Sequence, residues 1–83
     1  MQDFDKTWFC SLEEKQQAAE KARAILEQAG MLESGIERFL KSDELIWTVC
    51  RDPERVLTWN ERHPRSPLNT LSGVWSLSYV FID

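Results

Sequence analysis

Val74-Trp75-Ser76-Leu77-Ser78-Tyr79-Val80-Phe81-Ile82 alternates in character along its whole length. In an extended chain Trp75, Leu77, Tyr79 and Phe81 share one side, and Val74, Ser76, Ser78 and Val80 share the other. The first side is aromatic and aliphatic, and the serines mark the second as wetter. This pattern predicts the last and longest β-strand of the chain, with its aromatic side turned to the core.

The same reading extends upstream. Leu45-Ile46-Trp47-Thr48-Val49-Cys50 is rich in strand formers, and Leu45, Trp47 and Val49 fall on one face. Asp52-Pro53 then interrupts the run. Two local structures fit the residues beyond it. Asp52 as N-cap with Pro53 at the first helical position opens a helix. Asp52-Pro53 as a turn makes Arg55 to Trp59 the next strand of a hairpin, and Val56-Leu57-Thr58-Trp59 favours that strand. Residues 60–73 contain Pro64, Pro67 and Gly73 and read as a loop.

The first half of the chain reads differently. Ser11-Leu12-Glu13-Glu14 is a capping box, in which the Ser11 hydroxyl accepts from the Glu14 N–H. Ala18, Ala22, Ile25 and Ala29 then recur at helical spacing, widened by Ala19 and Leu26. Gly30 stands where a left-handed residue ends a helix, with Met31 placed to contact Leu26. Ser34-Gly35-Ile36-Glu37 repeats the box, and Ile36, Phe39 and Leu40 make one face of a short second helix over 34–41. Residues 1–10 carry Phe4, Trp8 and Phe9 and are expected to pack on the body or add an edge strand. The fold class expected from these elements is α+β. One long N-terminal helix (about 12–29) and a short second helix pack on a three-stranded antiparallel sheet formed by the C-terminal half.

Eighty-three residues make a single small globular domain, 1–83. A chain of this size buries roughly 60–65% of its unfolded surface, so its stability margin is small. The net charge of −4 is uneven. Residues 1–44 hold ten acids against six bases, whereas residues 45–83 balance four against four, and those four bases are all arginines. An acidic chain lacks the clustered cations that bind nucleic-acid backbones in general. No basic and apolar leader segment starts the chain, and no apolar run is long enough to span a membrane. Cys10 and Cys50 form no close pair and, without a secretion signal, are expected to be reduced; a cytoplasmic location is the default expectation.

Candidate chemistry is sparse. His63 is the only histidine and sits in a polar loop, where solvation explains it. With Cys10 and Cys50 it offers three scattered ligands, without the paired spacing of a zinc site. The adjacent acids Glu13–Glu14 and Asp43–Glu44 diverge on a helix, so neither pair builds an acid–base site. Three glycines form no phosphate loop. No enzymatic activity, cofactor or metal is expected, and no motif places the chain in a family.

Arg55, Arg62 and Arg65 lie close in sequence to Trp47 and Trp59. Arginine beside aromatics can clamp phosphates and stack bases, but Asp52, Glu54 and Glu61 are interleaved. Tryptophan and arginine also dominate protein interfaces. Trp59, beside the proline-braced loop, is the tryptophan expected at the surface. Glu13, Glu20 and Glu27, seven apart, form an acidic row that could present carboxylates to a partner. The resulting expectation is a non-enzymatic protein-binding module: a small regulator, inhibitor or adaptor that occludes a surface of a larger protein. Trp59, Arg55, Arg62, Arg65, Glu13, Glu20 and Glu27 are its candidate contacts. The alternatives are a nucleic-acid-binding module using the arginines and tryptophans of 47–65, and a subunit of a homodimer.

Overall fold

The computed structural model describes Phe9 and residues 11–82, the last by its backbone alone. Three quarters of the described residues are helical, and no strand occurs among them. The expected α+β fold with a three-stranded sheet is therefore wrong, and the protein is all-helical. Its elements are α1 (Leu12–Gln28), α2 (Glu33–Leu40), α3 (Asp43–Arg51), α4 (Pro53–Leu57), α5 (Trp59–Arg62) and α6 (Leu71–Ile82).

Helix α1 forms as its sequence dictates. The Glu14 N–H donates to Ser11 Oγ at 3.1 Å, and Glu13 and Glu14 occupy the first turn. At the other end Gly30 adopts φ +85°. Its N–H donates to the Glu27 carbonyl, and the Met31 N–H to the Leu26 carbonyl, each at 3.0 Å, which is the paired bonding of a Schellman ending. Helix α2 also forms, but the Ser34–Glu37 box does not. The helix starts one residue earlier, at Glu33, and its N-cap position, Leu32, makes no side-chain capping bond. Ile36 and Phe39 are its buried row.

Each of the three strands expected in the C-terminal half is helical instead. In α3 the Ser42 hydroxyl accepts from the Leu45 N–H at 3.3 Å, and Asp43 and Glu44 fill the first turn. Its buried residues, Leu45, Ile46 and Val49, are spaced i, i+1 and i+4, while Trp47 is only half-buried. The β-branched residues cost a helix a few tenths of a kcal/mol each, whereas burying an Ile or Val side chain gains roughly 1.5–3 kcal/mol, so packing wins. Pro53 begins α4 at its first turn, the helical option at Asp52-Pro53, although Asp52 makes no side-chain capping bond. A further single turn, α5, replaces the end of the expected hairpin. Residues 1–8 and Cys10, with the edge strand expected there, lie outside the described residues. Phe9 packs against the core.

Helix α6 is the largest departure. Thr70 starts it: the Gly73 N–H donates to Thr70 Oγ1 at 3.2 Å, and the Val74 N–H to the Thr70 carbonyl. A Cβ on Gly73 would overlap the Ser66 and Pro67 carbonyls, so glycine lets the preceding loop lie flat on the first turn. Val74, Leu77, Ser78 and Phe81 face inward, a spacing of i, i+3, i+4 and i+7.

Helix α1 packs on α2, α3 and α4, while α6 packs on α2 and α3, so α2 and α3 lie between the first helix and the last. The core runs through all of them, from Ala22, Ile25 and Leu26 through Ile36, Phe39, Ile46 and Val49 to Val74, Leu77 and Phe81. Asn60 fastens the long loop to the body. Its Nδ2 donates to the Ala29 carbonyl at 3.0 Å, and its Oδ1 accepts from the Leu68 N–H at 2.8 Å.

Candidate protein-binding face

The inward row of α6 accounts for only half of that helix. Leu71, Trp75 and Tyr79, spaced four apart, lie on its outer side and are 62%, 48% and 73% exposed. Ser72 and Val80 extend the exposed side further round, with Ser76 partly covered. The twelve residues of α6 include no charged side chain. An outer helix of a soluble monomer ordinarily carries its charges on this side, and a helix apolar all round is ordinarily buried. The three large side chains together expose about 400 Å², the scale of the largest, often functional, patch on a typical monomer.

Two features that carry arginines border this face. On the side of α2, the Arg38 guanidinium lies over the Trp75 ring, 4.1 Å from its centroid. On the side of Val80 an open groove of about 460 Å³ runs between α6 and the α4–α5 segment. Arg55, Arg62 and His63 supply its basic groups, and Asp52 and Glu54 its acidic ones. Arg55 is engaged by Asp52 at 3.6 Å, but Arg38 and Arg62 form no ion pair with any described residue.

The groove gathers three of the residues singled out in the sequence, Arg55, Arg62 and Trp59. Trp59 is not a surface residue, however. It is 3% exposed; its indole N–H donates to the Ser66 carbonyl at 2.9 Å, and the His63 ring stacks on it at 3.6 Å and 13°. Its faces and its polar edge are thus used internally. Among the described residues the tryptophan most open to solvent is Trp75, which the alternating pattern had placed in the core together with Tyr79. Arg65 is exposed in the loop before α6 and does not line the groove. Arg51, which completes the arginine run, lies 4.9 Å from the Trp47 ring centroid, an internal cation–π contact.

Glu13, Glu20 and Glu27 are exposed on α1, on the other side of α2 and α3 from α6. Glu27 is held by Arg23 at 3.4 Å, and Glu13 shares a shallow depression with Glu14 and Gln17. The acidic row lies along α1 and the groove between α6 and the α4–α5 segment, and Glu13, Glu20 and Glu27 do not line that groove. Leu71, Trp75 and Tyr79 are the residues that the sequence reading missed. Their i, i+4, i+8 spacing was the available signal, and it emerges only once the stretch is read with a helical period.

Among the described residues no three His, Cys, Asp or Glu side chains could hold a metal ion. Cys50 is a free thiol that donates to the Ala18 carbonyl at 3.3 Å. Burial pushes its pKa up, with the Lys21 ammonium pulling the other way, so the fold favours the thiol over the nucleophilic thiolate. Among the described residues no helix is long and apolar enough to cross a membrane. No known protein family, curated protein or solved structure matches this chain.

Proposed function

We propose that the protein is a non-enzymatic protein-binding module that docks on a larger protein through the outer face of α6, acting there as a small regulator, inhibitor or adaptor. The observation that carries this reading is an uncharged twelve-residue helix whose outer half, Leu71, Trp75 and Tyr79, remains in solvent. Leaving such a surface wet has a solubility cost, and a partner that covers it removes that cost. Trp, Tyr and Arg are the side chains that most often dominate binding energy, and here they adjoin one another. A cytoplasmic location, where Cys50 stays reduced, belongs to the same reading.

Nucleic-acid binding through 47–65 finds less support. Trp59 has no free ring face to offer a base, and Asp52 and Glu54 stand beside Arg55 and Arg62. The discriminating experiment is affinity capture from nuclease-treated lysate of the source cell, with the wild-type chain and a Trp75→Ser/Tyr79→Ser chain side by side. A protein retained by the first and lost by the second is the expected outcome. Equal retention by both chains removes α6 from the reading. Capture that depends on intact nucleic acid overturns it.

A further inference from the structure

We propose that the occupant of the α6 face is an amphipathic helix from another protein, with carboxylates flanking its apolar stripe. This rests on the docking reading above and gives the partner its chemistry. Helix α6 is about 18 Å long at 1.5 Å per residue, and its outer face is bordered by α2 on one side and the groove on the other. That is a site for one helix laid against another, whose axes pack about 8–10 Å apart. The exposed apolar area, about 400 Å², is half of the ~800 Å² per partner in a standard interface. A single helix, reading the face through anchors at i, i+4 and i+7, suits that area better than a broad rigid surface.

Charge selects the partner further. The centre of the face has no charge, and each border carries a guanidinium with no ion-pair partner among the described residues, Arg38 over Trp75 and Arg62 in the groove. Asp52 is occupied by Arg55, which leaves Glu54 as the groove's unengaged carboxylate. A ligand helix with acids along both edges of its stripe would place one beside Arg38 and one toward Arg62. The same geometry disfavours a second copy of this chain. A two-fold pairing of α6 with its twin about Trp75 would bring the two Arg38 guanidinia to the same seam, and like charges so juxtaposed oppose association.

The test selects the ligand instead of assuming it. A displayed library of helical peptides, with a fixed leucine and phenylalanine stripe and randomised flanking positions, is panned on the full chain. Tyr79→Ser serves as counter-selection; Tyr79 is 73% exposed, so this change leaves the fold intact, as thermal melting will verify. Enriched peptides are expected to carry acidic flanks and to lose about ten-fold in affinity on Arg38→Glu, with binding recovered by peptides whose flanking acids are changed to lysine. Their binding should also weaken as salt is raised. Neutral or basic peptides that still require Tyr79 overturn the acidic-helix inference and leave the docking face standing. Peptides that bind the Tyr79→Ser chain equally well, or a failure to enrich any peptide, overturn both. A doubling of mass with concentration that Tyr79→Ser abolishes assigns the face to a second copy and overturns the inference.

Discussion

Replacing Gly35 by alanine sets two effects of known size against each other, and the seating of α6 on α2 decides which wins. Gly35 lies inside α2, where alanine is favoured over glycine by about 0.8–1.0 kcal/mol. In isolation the substitution stabilises. In the folded protein, however, the new Cβ would sit 2.8 Å from Val74 Cγ2, 3.1 Å from Val74 Cγ1 and 3.0 Å from Met31 Cγ. Carbon atoms in ordinary contact lie about 3.5–4.0 Å apart. Met31 is flexible and can yield, but Val74 is branched at Cβ, almost fully buried and fixed in one rotamer by its helix. Overpacking of this kind costs about 1–3 kcal/mol, so the net effect is a loss of about 1 kcal/mol. For a domain of this length that lowers Tm by about 4–8 °C. Urea unfolding followed by helical circular dichroism gives the free energy, and a double-mutant cycle gives the cause. In a Val74→Ala background the clash with Val74 is gone and only the yielding Met31 remains close, so Gly35→Ala should become stabilising, with a coupling of about 2 kcal/mol. Stabilisation by Gly35→Ala in the wild-type chain, or additivity in the cycle, would refute the close approach of α2 and α6, and with it the pairing of Arg38 with Trp75.

The remaining expectations separate core from surface. Trp59→Ala should cost about 3–5 kcal/mol, because it empties a buried site and leaves the Ser66 carbonyl without its donor. Trp75→Ala should cost under about 1 kcal/mol, the scale of its cation–π contact with Arg38; equal melting temperatures for the two variants would contradict the exposures described. Asn60→Ala should destabilise by about 1–3 kcal/mol, since the Ala29 carbonyl and Leu68 N–H both lose their partner, and proteolytic nicking in residues 63–70 should rise with it. In a Cys10→Ser chain, Cys50 should alkylate more slowly when folded than in denaturant at the same mildly alkaline pH. The sign follows from its raised pKa: the folded state holds the thiol proton more tightly, so its contribution to stability is fully present below the unfolded thiol's pKa and is lost as pH rises from there through the higher folded pKa. Faster alkylation of the folded protein would mean that the thiolate, not the thiol, is favoured there.

The first helix was legible because its signals are local. Ser11 and Glu14, the alanine stripe, and Gly30 with Met31 each act within one or two turns, and each forms as its spacing requires. Helix α6 was illegible because its sequence satisfies two periods at once. Alternation places Trp75, Leu77, Tyr79 and Phe81 together, while the helical period places Val74, Leu77, Ser78 and Phe81 together. The presence of Ser78 in that second set disguises it. A serine reads as a wet position, yet here it is buried, with its hydroxyl donating to the Val74 carbonyl one turn back at 3.0 Å, so it needs no water. Trp59 was misplaced for a non-local reason: the acceptor that allows its indole N–H to be buried is Ser66, across the proline loop. For α3 the local signal was present. Ser42 followed by Asp43 and Glu44 is a capped, dipole-matched helix start, and the β-branched run after it masks that start.

The two sides of α6 also differ in what they contribute to the fold. Val74, Leu77, Ser78 and Phe81 hold the helix on α2 and α3, and Phe39 meets Phe81 edge-on with centroids 6.4 Å apart. Leu71 and Tyr79 take no part in that packing, and Trp75 touches the body through Arg38 at the surface. Changes on the outer side therefore alter the exposed surface at little cost to the fold, whereas changes on the inner side act on stability first. A small core leaves little margin to absorb the second kind. A charged residue at position 79 would reduce the exposed apolar area at almost no cost to packing. That the position is tyrosine, on a helix without a single charge, is the physical ground for regarding this surface as one that another molecule covers.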